Sequence, residues 1–168
     1  MLKIINKIGK VGIIKESSED EELEKLGFEV KSHIDKRFAG SLSIRAVDAG
    51  SCNACELEIH ALSNPFYNIE RFGVHFVASP RHADALLVTG VVSRHMEAAL
   101  QSAWDAVPEP KWLIAMGDCA VNGGEIGSSY ASLGSVDKVL QPDVTICGCP
   151  PEPKRILRAI LAFLQSSD

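Results

Sequence analysis

The sequence has no excess of basic side chains: 17 lysines and arginines stand against 22 aspartates and glutamates, and the formal net charge is −5. Binding to nucleic-acid phosphates requires a basic surface, so no nucleic-acid partner is expected. The hydrophobic runs are also far shorter than the roughly 20 residues that cross a bilayer. Residues 1–14 mix lysine, asparagine and glycine with aliphatic residues and lack the apolar core of a signal peptide. We therefore expect a cytoplasmic protein.

Folding of a chain of this size depends on neither disulfides nor a structural metal, because a single domain of 168 residues buries most of its unfolded surface. The sequence nevertheless contains five cysteines, and an odd number cannot pair completely within one chain. In a reducing compartment, cysteines more often bind metal or act in redox chemistry than form cross-links. The positions of the cysteines are therefore the main functional signal.

Apolar segments with the pattern of buried strands occur at residues 42–47, 74–78, 85–89, 112–116 and 144–147. Residues 96–107 and 156–164 have helical spacing, and a further helix is expected at 54–62. Strands that alternate with helices indicate a mostly parallel sheet covered on both faces. The predicted fold is therefore a doubly wound, flavodoxin-like α/β domain.

The first 40 residues differ from the rest, so we expect an N-terminal arm at residues 1–40 and an α/β domain at 41–168. Residues 1–14 are basic and weakly amphipathic, whereas residues 16–24 carry six acidic side chains. Gly27 is placed where a short helix would end. The acidic run is most simply a solvated helix face, and the alternative is an arm that docks on another subunit.

Four cysteines follow the carboxyl ends of predicted strands: Cys52 and Cys55 follow the first, Cys119 the fourth and Cys149 the fifth. In an open parallel sheet these ends border one crevice, where ligands commonly bind. The C-x2-C pair and two later cysteines supply the number of thiolates that a [4Fe-4S] cluster needs. The glycines beside them would allow the backbone to approach the ligand closely.

Two other interpretations of these cysteines remain open. Zinc held by four thiolates requires the same number of ligands, although zinc sites more often use two close cysteine pairs. Alternatively, Cys52 and Cys55 alone form a redox-active dithiol at the start of a helix, where the helix dipole lowers a thiol pKa. The second interpretation leaves Cys119 and Cys149 unexplained.

Residues beside the four cysteines also have competing interpretations. Glu56 and Glu58 lie in the first turns of the expected helix, where acids favour the helix dipole, or they relay protons or contact another subunit. Cys147 is expected to be a buried structural cysteine that binds no metal. The reason is that Gly148 would end the strand and turn only Cys149 toward the crevice.

Six motifs point to a known family. They are AGSCNACE at residues 49–56, ERFG at 70–73, SPRHAD at 79–84, LLVTG at 86–90, MGDCA at 116–120 and GCPP at 148–151. In this order they resemble the iron–sulfur small subunit shared by energy-converting [NiFe] hydrogenases and the 20 kDa subunit of respiratory complex I. The resemblance covers residues 42–164 and leaves out the first 40.

The resemblance implies an electron-transfer subunit of an oxidoreductase complex that makes and breaks no bonds itself. It implies that Cys52, Cys55, Cys119 and Cys149 hold one proximal [4Fe-4S] cluster, with Arg81 beside it. The implied partners are a large [NiFe]-type catalytic subunit, a ferredoxin-like iron–sulfur subunit and, through the complex, membrane subunits. The implied location is peripheral, on the cytoplasmic face of the inner membrane.

Two details of the resemblance leave alternatives. The C-x2-C spacing at Cys52 resembles the membrane-bound hydrogenase branch, including formate hydrogenlyase, whereas complex I subunits resemble each other in having adjacent cysteines there. A complex I-like quinone or ferredoxin oxidoreductase remains the alternative, and a zinc-stabilised assembly module is an alternative of another class. Arg81 would either stabilise a reduced cluster by its charge or form a salt bridge with Asp84 or Asp118.

Overall fold

The computed structural model describes residues 21–166, so the first twenty residues of the predicted arm lie outside the described part. The α-helices in this range are α1 (Glu21–Arg37), α2 (Ala54–Leu62), α3 (Glu97–Ala106), α4 (Asp118–Asn122) and α5 (Pro153–Ser166). The strands are β1 (Leu42–Asp48), β2 (Val74–Phe76), β3 (Ala85–Thr89), β4 (Val92–Ser93), β5 (Trp112–Met116), β6 (Ser132–Gly134) and β7 (Val144–Ile146). Short 3-10 turns occur at Ile69–Phe72, Pro80–His82 and Val136–Lys138.

The central sheet has five parallel strands in the order β2-β1-β3-β5-β7. Counted along the chain within this sheet, the order is 2-1-3-4-5, which is the flavodoxin-like arrangement. The predicted fold and all five predicted strands are confirmed. Strands β4 and β6 form a separate antiparallel pair that the sequence did not indicate, because two or three residues are too few to show a period.

Helices cover both faces of the sheet. Because side chains alternate along each strand, every strand contributes residues to both of these faces. On β3, Ala85 and Leu87 face one hydrophobic cluster, whereas Leu86 and Val88 face the other. The first cluster contains buried side chains of α1, α2 and α5, and the second contains Leu100 of α3 together with residues of the loops. All five residues of β3 are buried, which explains its uninterrupted apolar sequence.

Helix α1 corrects the prediction that a short helix ends at Gly27. The helix continues to Arg37, and Gly27 lies buried in its middle. A Cβ atom at this position would overlap the ring of the buried Phe72, so the glycine makes room for an aromatic side chain instead of ending the helix. The apolar side of α1 belongs to the first core cluster through Leu23, Val30 and Ile34. Residues 21–37 of the predicted arm are thus packed on the domain.

Aromatic packing closes the amino end of the sheet. Trp112, the first residue of β5, contacts Phe38 and Phe163 edge-on, with ring centroids 5.4 and 5.5 Å away. The guanidinium of Arg37 lies over the Trp112 ring, 5.0 Å from its centroid. Such cation–π geometry fastens the end of α1 to β5.

Two aspartates extend the sheet beyond its amino end. The Asp84 amide donates to the Ser43 carbonyl at 2.8 Å, and the Ser43 amide donates to Asp84 Oδ2 at 2.7 Å. Asp143 makes the same exchange with Leu113, at 2.9 and 2.8 Å. We call this arrangement an aspartate bridge: one aspartate satisfies both the N–H and the C=O of a single residue on a neighbouring strand or in the loop that follows it.

Candidate functional site

The four predicted cysteines lie beyond the carboxyl ends of three strands. Cys52 is exposed in the loop after β1, and Cys55 is half-buried in the first turn of α2. Cys119 is half-buried in α4, directly after β5, and Cys149 is exposed after β7. The first pair follows β1, and the strand order of the sheet reverses between β1 and β3. Ligands of this fold class commonly bind at such a position.

Hydrogen bonds fix the loop that carries Cys52. Asp48 Oδ1 accepts from the amides of Gly50 and Ser51 at 2.8 and 2.7 Å. Ser51 Oγ donates to Glu56 Oε2 at 2.8 Å, and the hydroxyl of Thr89 donates to the other Glu56 oxygen. Thr89 is 1% exposed at the end of β3, so the Glu56 carboxylate joins the cysteine loop to the sheet.

The loops that carry Cys119 and Cys149 are joined by a third aspartate bridge. The amide of Asp118 donates to the Gly148 carbonyl at 2.9 Å, and the amide of Gly148 donates to Asp118 Oδ1 at 2.7 Å. The Gly117 amide also donates to the Ile146 carbonyl at 2.8 Å. Each partner of this bridge directly precedes a cysteine, so the bridge fixes the backbone positions from which the side chains of Cys119 and Cys149 extend.

The glycines around the site provide the space predicted for them. Gly117 has a φ of +88°, and a Cβ atom there would lie 2.6 Å from Cys55 Sγ. A Cβ atom at Gly124 would lie 2.9 Å from Cys119 Sγ. The Cys55 thiol therefore rests against the backbone of the loop after β5, although it belongs to the segment after β1. Residues that are distant in sequence meet here, as predicted.

The four thiols are close enough to influence each other electrostatically. Burial raises the pKa of the Cys55 thiol to about 12, and Glu56, Cys52, Cys119 and Cys149 add to this rise in that order of size. Burial also raises the pKa of the Cys119 thiol, together with Cys149, Cys52 and Asp118. Four thiolates at this edge therefore need a positive group between them.

The donor set is compatible with an iron–sulfur cluster. Among residues 21–166, no three cysteine, histidine, aspartate or glutamate side chains converge closely enough to hold one metal ion. Each thiolate of a [4Fe-4S] cluster binds a different iron, so its ligands surround a larger body than the four ligands of one zinc ion. A cluster of this kind would supply the positive charge that four neighbouring thiolates need.

Arg81 is exposed in the turn Pro80–His82, which leads into the amino end of β3, whereas the four cysteines follow the carboxyl ends of strands. Among the described residues it is not one of the charges that shift the pKa of Cys55 or Cys119. The predicted salt-bridge alternative does not form, because within the described residues Arg81 has no ion pair with Asp84 or Asp118. The carboxylates of these two residues accept from the amides of Ser43 and Gly148. Only its backbone amide has a described hydrogen bond, to Ser79 Oγ at 3.3 Å.

The predicted burial of Cys147 is wrong. Strand β7 ends at Ile146, one residue earlier than predicted, and Cys147 is exposed. The strand lies at the edge of the sheet beside β5, and its burial pattern already shows an exposed Thr145 before the buried Ile146. Period-2 alternation therefore turns Cys147 outward, to the side of Thr145. The expectation that Cys147 binds no metal stays a prediction.

Sequence reasoning missed Asp48 and Thr89 and considered Asp118 only as a salt-bridge partner. Asp48 had a usable signal, because an aspartate followed by Gly50 and Ser51 is typical of a turn in which the side chain accepts from the backbone. The partners of Thr89 and Asp118 come from distant segments. The spacing of residues along the chain does not predict such contacts.

Comparison with known families gives a match to the model described as "NADH ubiquinone oxidoreductase, 20 Kd subunit", over residues 52–163. The matched range covers more than half of the chain and includes all four cysteines of the site. The chain belongs to this family. Proteins of the family are subunits of oxidoreductase complexes, hydrogenases and NADH-quinone oxidoreductases among them, as the sequence predicted.

Curated relatives come from both kinds of complex. Formate hydrogenlyase subunit 7 of Escherichia coli is 43% identical over 128 residues, which are 76% of this chain and 50% of the relative. The probable membrane-bound hydrogenase subunit mbhJ of Pyrococcus furiosus is 41% identical over 71% of each chain. A subunit of the NADH-quinone oxidoreductase of Akkermansia muciniphila is 44% identical over 69% of this chain and 60% of the relative. The chain spans about half the length of the first of these.

Solved structures have the same fold. A chain of the membrane-bound sulfane sulfur reductase, an archaeal respiratory membrane complex, superposes with a TM-score of 0.67 and 30% identity, over 82% of this chain and 75% of that one. A chain of an NAD+-reducing [NiFe]-hydrogenase has a TM-score of 0.59 and 17% identity, over 75% and 92%, which supports the fold alone. Among the described residues, no helix is long and apolar enough to cross a membrane.

Proposed function

We propose that this chain holds one [4Fe-4S] cluster on Cys52, Cys55, Cys119 and Cys149 and transfers single electrons within an energy-converting hydrogenase. The observation that carries the proposal is the meeting of four thiols, from segments that follow three strands, beside glycines that leave room for the thiols of Cys55 and Cys119. The bound cluster would supply a centre that gains and loses one electron at a time.

The residues of the chain position and tune this centre. The Glu56 carboxylate ties the Cys52 loop to Thr89, and Gly117 leaves space for the Cys55 thiol. The exposed Cys52 and Cys149 place one side of the site at the protein surface. Leu57, 59% exposed in the helix that carries Cys55, adds apolar surface beside them. Such a surface suits contact with a second redox subunit.

For partners, we propose a large [NiFe]-type catalytic subunit on one side of the cluster and a ferredoxin-like iron–sulfur subunit as the other redox partner. Membrane subunits would be reached through the complex, with this chain peripheral on the cytoplasmic face of the inner membrane. The support is that the relatives include a formate hydrogenlyase subunit and a membrane-bound hydrogenase subunit. We also propose that residues 1–40 help the chain to dock on another subunit.

Arg81 is proposed as a charge that favours the reduced state of the cluster. Its guanidinium has no carboxylate partner among Asp84 and Asp118, whose oxygens accept from backbone amides. An unneutralised positive charge stabilises the extra electron through space.

The first test is the composition of the complex purified through this chain. We expect about four irons and an equal amount of sulfide bound to this chain, lost when its cysteine site is removed, and a broad absorption near roughly 400 nm. Stoichiometric zinc without iron on this chain would instead support the zinc-stabilised assembly module. In that case the electron-transfer proposal would be abandoned.

The second test distinguishes hydrogenase from a complex I-like oxidoreductase, an alternative that the Akkermansia relative supports. The large subunit that co-purifies is sequenced and assayed for nickel. Two C-x2-C pairs with bound nickel support the hydrogenase. Their absence, together with quinone reductase activity, supports the complex I-like alternative.

A further inference from the structure

Three aspartate bridges fasten neighbouring strands of the sheet, and they differ in position. Asp84 and Asp143 form theirs at the amino end, where no cysteine of the site lies. Asp118 forms the third at the carboxyl end, between the residue before Cys119 and the residue before Cys149. Asp143 and Asp118 connect the same pair of strands, β5 and β7, at opposite ends.

The Asp118 bridge controls two of the four thiols at once. Its two hydrogen bonds, 2.9 and 2.7 Å long, fix Gly148 against the start of α4. Since Cys119 and Cys149 are the next residues on each side, the bridge sets the separation at which their side chains leave the backbone. Without the Asp118 carboxylate, the described bonds that remain between the two loops run from the Asp118 amide to the Gly148 carbonyl and from the Gly117 amide to the Ile146 carbonyl.

The same carboxylate places a negative charge beside the site. Asp118 directly precedes Cys119, and its Oδ1 accepts from the amide of Gly148, the residue before Cys149. Reduction adds one electron, and therefore one negative charge, to a cluster already surrounded by four thiolates. A fixed carboxylate at this position opposes that charge.

We propose that Asp118 is a positioning residue for the cluster: it holds the Cys119 and Cys149 loops together, and its charge keeps the midpoint potential low. The inference rests on the proposed function, because it requires a cluster at these cysteines. The hydrogen bond and the charge of Asp118 are separable by substitution.

Asp118→Asn keeps an oxygen that can accept from the Gly148 amide but removes the charge. In the assembled complex, we expect this variant to retain iron and sulfide at the wild-type level. We expect its midpoint potential, followed through the cluster's paramagnetic signal during a redox titration, to shift to a more positive value. Asp118→Ala removes the charge and the acceptor for the Gly148 amide, and leaves only the bond from the Asp118 amide to the Gly148 carbonyl. We expect this variant to lose most of the iron of this chain.

Asp143 provides the matched controls, because Asp143→Asn and Asp143→Ala alter the same kind of bridge between the same two strands. We expect both to leave the cluster's potential and spectrum unchanged, although Asp143→Ala lowers the melting temperature. If Asp118→Ala resembles Asp143→Ala in iron content, the positioning role is refuted. If Asp118→Asn leaves the potential unchanged, the proposed effect of the charge is refuted. Iron missing from the wild-type chain would instead refute the proposed function, which separates the two failures.

Discussion

The two ends of the parallel sheet use the same hydrogen-bonding device for different purposes. At the amino end, bridges from Asp84 and Asp143 stand beside the aromatic packing of Trp112, and no cysteine is present. At the carboxyl end, the bridge from Asp118 supports loops whose thiols are exposed or half-buried. Aromatic packing at the amino end stabilises the fold, whereas the open loops at the carboxyl end carry the cysteines of the candidate site. Changes at the two ends should therefore have different consequences.

The largest expected effect is at the carboxyl end. Replacing any one of Cys52, Cys55, Cys119 or Cys149 by alanine removes one of four iron–sulfur bonds, so we expect loss of the native cluster. Loss of the cluster is measured as a loss of iron, of sulfide and of the paramagnetic signal of the reduced complex.

Cys147→Ala is the matched control for these four variants. Cys147 is an exposed cysteine two residues from Cys149, and its replacement should leave iron content and spectrum unchanged. Loss of the cluster in this variant would place Cys147 in the ligand set instead of one of the four. A normal cluster in any of the four variants would remove that residue from the set.

The sequence predicted the positions of the cysteines better than the contacts around them, for a physical reason. Strand periodicity and C-x2-C spacing are local, and together they placed all four cysteines at the strand ends where the structure has them. Gly27 was misinterpreted because its partner, Phe72, is remote in the chain. The bridges of Asp118 and Asp143 depend on strand neighbours that only the folded sheet provides. Cys147 is exposed because β7 ends at Ile146, one residue before the predicted end. Sequence patterns do not locate the end of a strand to within one residue.

Two glycine substitutions test whether packing beside the cysteines and packing elsewhere have separate effects. Gly117→Ala places a methyl group 2.6 Å from Cys55 Sγ at a φ of +88°, which alanine adopts poorly. We expect a displaced Cys55 thiol and substantial loss of iron from this chain in the purified complex. Wild-type iron content in Gly117→Ala would show that the loop after β5 moves freely, contrary to the close approach described here.

Gly27→Ala is the counterpart away from the cysteines. Alanine favours a helix by about 1 kcal/mol over glycine, so a net loss of stability must come from overlap with Phe72. Overpacking of this kind costs about 1–3 kcal/mol. We expect a lower melting temperature with unchanged iron per folded chain. A stabilised Gly27→Ala variant would mean that the Phe72 ring moves aside without cost.

A smaller effect concerns proton release from Cys55 in the iron-free chain. Its raised pKa keeps the thiol protonated below pH about 12, whereas an unfolded cysteine loses its proton near pH 9. Because the thiolate is the nucleophile, we expect Cys55 alkylation in the folded chain to accelerate with pH well beyond 9. Mass spectrometry after timed alkylation, with the chemically denatured chain as control, measures this. Equal pH profiles in the two states would contradict the burial of Cys55.

The smallest expected effect belongs to Arg81. Its exposed guanidinium acts through solvent, which screens charge, so its influence on the cluster should be weaker than that of Asp118. Removing a positive charge makes addition of an electron harder, so Arg81→Met should lower the midpoint potential, opposite in sign to Asp118→Asn. The redox titration is repeated at low and high salt, with Lys36→Met, at the end of α1, as the control for an exposed charge elsewhere. A shift of the same size in both variants would assign the effect to overall charge, and no shift in Arg81→Met would leave the residue without a role at the cluster.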